Sequence, residues 1–241
     1  MDDSKDSRKK ALIRPKGISF LFIFMFGVGS AFFIPYGGID WWEAWLLLSL
    51  WLAYFLLMLT VVKKINPDVV EERANSLDRF SQSWDQIIVS IYQVVSLSLY
   101  IIAGLDVGRF GWTAEVLGGV PAWLKWIAFV FVLFVYLFPC WAIISNPFAS
   151  GAVRIQEERE HQAVASGPYR IVRHPMYLGT VVYGFAFPLF LESDWALIPG
   201  VIVIGLFILR TALEDKFLMA NLPGYPDYAQ QTRYRLLPGV W

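Results

Sequence analysis

Six long apolar runs decide what this 241-residue chain can fold into. They cover roughly Ile18–Ile34, Ala44–Val62, Ile87–Leu105, Trp126–Ile144, Met176–Leu191 and Trp195–Leu213. About 20 apolar residues, or 17 at the short end, cross the hydrocarbon core of a bilayer as a helix. A lipid-embedded backbone must satisfy its own hydrogen bonds, which leaves helices or a closed barrel. Runs of this length and continuity predict an all-α integral membrane protein with about six transmembrane helices. Only 17% of the residues are charged, against about a quarter in a soluble domain. The fifth run is short, and a re-entrant hairpin is its alternative reading. Only Glu192-Ser193-Asp194 separates it from the sixth, which predicts a tight C-terminal helical hairpin. The polar, basic stretch from Met1 to Gly17 lacks a convincing cleavage site after it, so the first run reads as a retained helix.

The basic residues orient the spans. With six crossings, eighteen of the twenty Lys and Arg fall on the side that holds both termini. Arg109 and Lys125 fall on the other. The positive-inside rule then places both termini in the cytoplasm. In a bacterium this is the inner membrane; in a eukaryote the fit is the endoplasmic reticulum. Trp41, Trp42, Trp112, Trp123, Trp126 and Trp195 flank spans and read as interfacial anchors. Asn66-Pro67-Asp68 opens a short helix on the membrane surface. On it Val69, Val70, Ala74 and Leu77 are expected toward lipid, with Glu71, Glu72 and Arg73 in water. The acid–base balance is even, 20 against 20, and gives no reason to expect a nucleic-acid partner. The single cysteine, Cys140, excludes an intrachain disulfide and reads as a packed thiol.

Polar residues gather in two segments. One is the loop from Asn146 to Pro175, which holds both histidines, His161 and His174. The other is the tail after Leu213. The hairpin makes their cytoplasmic ends neighbours, which brings Arg173-His174-Pro175 toward Arg210 and Glu214. Those last two are four apart on one helix face, at the spacing of an ordinary ion pair. An ionisable residue near membrane depth is a candidate functional residue. Domain organisation follows: 1–145 a four-span membrane region, 146–241 the part that carries the chemistry. The chain has no GxSxG, Walker A or GxGxxG pattern, and two histidines thirteen apart make a poor metal site. Acids, tyrosines, arginines and histidine beside lipid suit a zwitterionic cofactor, and no metal is expected.

The stretch from Arg154 onward resembles the isoprenylcysteine carboxyl methyltransferase and phospholipid methyltransferase superfamily. The residues that carry the likeness are Gly167-Pro168-Tyr169-Arg170 and Arg173-His174-Pro175-Met176-Tyr177-Leu178-Gly179. After the hairpin come Arg210-x-x-x-Glu214-Asp215-x-x-Leu218, Gly224-Tyr225-x-x-Tyr228 and Leu236-Leu237-Pro238. The resemblance implies S-adenosylmethionine as cofactor, bound at the cytoplasmic ends of the last helices. It implies cofactor contacts from His161, Val164, Tyr169, His174, Pro175, Tyr177, Glu214 and Asp215. Arg210 falls on the substrate side, and His174 or Glu214 is the base if the acceptor is an amine. Glu214-Asp215 stands where the family often has paired glutamates. The acceptor is expected to be a lipid or small hydrophobic molecule, with an isoprenylcysteine-type carboxylate the nearest family match. A phospholipid N-methyltransferase and an NAD(P)H-dependent reductase of the sterol-reductase type stay open as alternatives. A non-enzymatic partner or transporter has less support, because the spans carry almost no charge at the midplane.

Overall fold

The computed structural model describes residues 15–74 and 82–241. Each of the six apolar runs is a helix. They are α1 (Pro15–Tyr36), α2 (Trp42–Leu57), α4 (Ser83–Gly104), α6 (Ala122–Ser145), α7 (Pro175–Phe190) and α8 (Leu197–Asn221). A π-helical turn, Met58–Val62, extends α2 to Ile65, and a second, Leu105–Phe110, extends α4. Among the described residues there are three shorter α-helices besides: α3 (Pro67–Ala74), α5 (Trp112–Leu117) and α9 (Tyr225–Gln231). Among the described residues, four helices are long and apolar enough to cross a membrane: extended α2, extended α4, α6 and α8. α1 and α7 are apolar but give shorter described stretches, Leu21–Tyr36 and Pro175–Phe190. The chain is a multi-pass membrane protein.

Packing centres on α7, which lies between α6 and α8 and has buried residues on every side, from Pro175 to Phe190. Two glycines set the α7–α8 distance. A Cβ on Gly184 or on Gly200 would collide with the other's carbonyl oxygen. Small residues of this kind let membrane helices approach backbone to backbone. α2 buries Glu43, Ala44 and Leu47 at one end and Val62 in the π turn at the other.

The two ends of the bundle differ. At one end Lys125, the lone lysine assigned to the far side, bridges Glu43 and Glu192 and lies 4.7 Å over the Trp42 ring. Nearby, Asp106 accepts from Thr113 and Ser193 and pins the α7–α8 connection to the end of α4. The opposite end holds the start of α7, the end of α8 and the Asn146–Pro175 loop.

Two expectations need correction. Trp41 is 3% exposed and stacks on Tyr36, so it is a core residue and not an interfacial anchor. In α3, Glu72 is buried and pairs with Arg154, while Val69 is buried in protein and not in lipid. Local amphipathicity does not register that a loop 80 residues away covers this helix. Leu77 lies outside the described residues.

Candidate active site

The loop, α7 and α8 close around a cavity at the basic end of the bundle. It encloses about 680 Å³ of space, part of it open to solvent. His161, Val164, Tyr169, His174, Pro175, Tyr177 and Glu214 all line it. Leu218, Leu222 and Tyr225 add an apolar side.

The local sequence explains how each group arrives. Gly167 has a φ of 56°, in the left-handed region open to glycine. A Cβ there would also strike Ser145. Gly167 and Pro168 together start a 3-10 turn that buries Tyr169. Pro175 occupies the first turn of α7, where its missing N–H costs nothing. His174 is held just outside the helix as its N-cap, with φ −123° and ψ 62°, and is 6% exposed. Its ring lies parallel to that of Tyr177, 5.7 Å away.

Three polar groups face the cavity with capacity to spare. The Tyr169 hydroxyl is buried beside the Asn146 side chain. Burial pushes its pKa up to about 12. Glu214 accepts a short hydrogen bond from Tyr177, which uses one carboxylate oxygen. His161 packs on Phe148, and its Nδ1 accepts from the Gln156 backbone N–H at 3.4 Å. Burial, followed by the charges of Arg159 and Arg154, lowers His161 to about 4. It is neutral at physiological pH.

Asp215 and Arg210 do not line the cavity. Asp215 turns away from it and is 2% exposed. It takes both prongs of Arg173 at 2.7 and 3.0 Å, Arg235 at 2.8 Å and the Tyr225 hydroxyl at 3.0 Å. His174 Nε2 stands 3.3 Å away. Meanwhile the backbone N–H groups of Arg173 and His174 donate to the carbonyls of Tyr234 and Arg235, each at 2.9 Å. Tyr228 and Thr232 donate to the Tyr169 carbonyl. The tail is thus clasped onto the Arg173-His174-Pro175 motif, with Asp215 as the clasp.

Arg210 makes no ion pair with Glu214. Its Nε donates to Asp85 at 2.7 Å and its Nη2 to the Gly151 carbonyl at 2.8 Å. The guanidinium sits 4.8 Å from the centre of the Tyr177 ring. Asp85 is a residue the sequence reading missed. The signal that could have found it is an acid at the mouth of the third apolar run.

Comparison with known proteins gives two findings. A sequence model of the isoprenylcysteine carboxyl methyltransferase (ICMT) family matches residues 126–220. Among solved structures, the chain is similar to the eukaryotic intramembrane Ras methyltransferase ICMT, with a TM-score of 0.53 and 17% identity. The match covers 92% of this chain and 86% of that one. No curated protein matches significantly. Over residues 126–220, then, the chain carries the pattern of the isoprenylcysteine carboxyl methyltransferase family, in a membrane fold similar to that of the solved enzyme.

Proposed function

We propose that the protein is an S-adenosylmethionine-dependent membrane methyltransferase. Its acceptor is a lipidic or hydrophobic molecule with an isoprenylcysteine-type carboxylate. The observation that carries this reading is the cavity itself: seven residues drawn from two separated stretches of sequence, 161–177 and the end of α8, line one space. The residues present fit the cofactor. Glu214 offers a carboxylate to an ammonium group, and the buried Tyr169 hydroxyl offers a donor or acceptor. Neutral His161 adds a hydrogen-bonding group without adding charge. Val164, Leu218 and Leu222 provide apolar surface for a base or sugar.

S-adenosylmethionine, when bound, supplies a methyl group already activated on sulfur. The protein's own task is then alignment and exclusion of water. His174 and Tyr177 form a rigid wall, the histidine fixed from behind by Asp215 and Tyr225. Arg210 lies across the Tyr177 ring, where a planar guanidinium is suited to hold an acceptor carboxylate. A carboxylate acceptor needs no base; an amine acceptor would call on His174 or Glu214. Asp215 serves the cofactor through the clasp that holds this wall. The chemistry belongs to residues 146–241, with 1–145 as the membrane scaffold. The cavity end and both termini face the cytoplasm, in keeping with the distribution of Lys and Arg. A polar cofactor can then enter from water while the acceptor arrives from lipid.

Glu214→Ala tests the reading. Removing the carboxylate should weaken S-adenosylmethionine binding by about 100-fold, as loss of a charge-assisted contact predicts. The thermal midpoint in detergent should be nearly unchanged. Unaltered affinity would take Glu214 out of the site.

A further inference from the structure

We infer that Asp85, at the head of α4, is a positioning residue for methyl transfer: it fixes the guanidinium of Arg210 across Tyr177. This rests on the methyltransferase reading above. The residue lies outside the segment that matches the family, which begins at 126. It also lies outside the part of the chain assigned to chemistry from sequence.

Asp85 is completely buried, and both carboxylate oxygens are engaged. Oδ1 accepts from Arg210 Nε at 2.7 Å. Oδ2 accepts from the backbone N–H of Val153 at 2.8 Å. Val153 sits between Ala152 and Arg154, which both line the cavity. The Gly151 carbonyl, in the same short segment, takes Arg210 Nη2. One carboxylate thus ties together the third apolar helix, the cavity wall at 151–153 and the arginine of α8.

The geometry leaves Arg210 a defined free edge. Its Nε and Nη2 are occupied, and no described residue takes Nη1. The flat face of the guanidinium rests on Tyr177 and Phe207, at 4.8 and 5.6 Å from the ring centres. Tyr177 in turn donates to Glu214 at the cavity. A planar fork held at one edge and on one face can present only its remaining donors, and in one direction. Freed from Asp85, the same side chain has Glu214 one turn away as a competing partner, at the usual i,i+4 spacing. Asp85 therefore keeps two opposite charges of one helix apart: Arg210 for the acceptor and Glu214 for the cofactor.

Asp85→Asn keeps the shape and one acceptor oxygen and removes the charge. The experiment compares it with wild type and with Arg210→Lys in detergent. It follows transfer from methyl-labelled S-adenosylmethionine to a farnesylated N-acetylcysteine, a phosphatidylethanolamine and a long-chain thiol. It also measures S-adenosylmethionine affinity by calorimetry. Misplacement of the arginine should lower kcat for the methylated acceptor by about 100-fold. Cofactor affinity should stay within about twofold of wild type, and the double variant should be no worse than the worse single variant. Asp85→Glu, which restores the charge, should recover part of the rate. Wild-type kcat in Asp85→Asn would overturn the inference. So would a fall in cofactor affinity that accounts for the whole loss of rate, or additive losses in the double variant. If Asp85→Asn does not fold, Asp85→Glu carries the test: a rate changed only as far as cofactor affinity changes would overturn it. Wild-type protein that methylates none of the three acceptors would instead sink the methyltransferase reading.

Discussion

Asp215 and Glu214 are neighbours in sequence with opposite orientations. Successive helix residues point about 100° apart, so two adjacent acids need not face the same space. Glu214 faces the cavity, and Asp215 instead pairs with buried Arg173 and with partly exposed Arg235. Removing one partner from a buried charge network strands the others, at a cost of about 3–5 kcal/mol. Asp215→Ala should therefore lower the thermal midpoint sharply and release the C-terminal tail to protease. A variant as stable as wild type would show that the clasp contributes little. His161 makes a separate prediction. Its pKa is about 4 in the folded protein against 6.5 when unperturbed, so the fold disfavours its charged form. Above pH 6.5 it is neutral whether folded or not, and stability is indifferent to it. Between pH 6.5 and 4 the unfolded chain takes up a proton that the folded chain refuses, and stability falls. Below about 4 this slope ends. Thermal midpoints of wild type and His161→Gln across that window should diverge, with the variant less sensitive to acid; parallel curves would contradict the buried neutral histidine. The motif around His174 was legible in sequence because its residues are contiguous. The partner of Arg210 was not, because the local rule offered Glu214 four residues on and the true partner lies 125 residues away.

Helix positions followed the hydropathy, since apolarity is a local property, but α8 runs on to Asn221, well past the end of its apolar run at Leu213. What hydropathy leaves out is how closely two helices approach. Gly184 and Gly200 are plain members of apolar runs in sequence, yet they set the α7–α8 crossing. Gly200→Ala would raise intrinsic helix propensity by up to about 1 kcal/mol. Forcing the helices apart should outweigh it, with overpacking typically costing about 1–3 kcal/mol. Lower resistance to thermal unfolding in detergent is expected, together with weaker cofactor binding, because α7 and α8 carry opposite walls of the cavity. A stabilised variant would refute the close crossing. α3 shows the reverse limit. Its charge pattern read as a surface helix with Glu72 in water. In the fold, Ser150 and Arg154 take that carboxylate, and the helix supports the loop beside the cavity.

The polar asymmetry of the bundle relates membrane and chemistry. One end is closed by a compact set of ion pairs around Lys125, and the other opens a cavity lined by Glu214, His161 and Tyr169. Apolar helices between them present a lipid-compatible surface, with Phe22, Ile23 and Phe26 each about 70% or more exposed. On the proposed function, a cofactor held in this cavity would meet water and lipid together, as a methyltransferase with a lipidic acceptor requires. The most direct measurement is calorimetric titration of the purified protein in detergent with S-adenosylmethionine, its demethylated product and NADPH. The proposed function predicts saturable one-to-one binding of the first two, lost in Glu214→Ala, and no binding of NADPH. Binding of NADPH without binding of S-adenosylmethionine would contradict it.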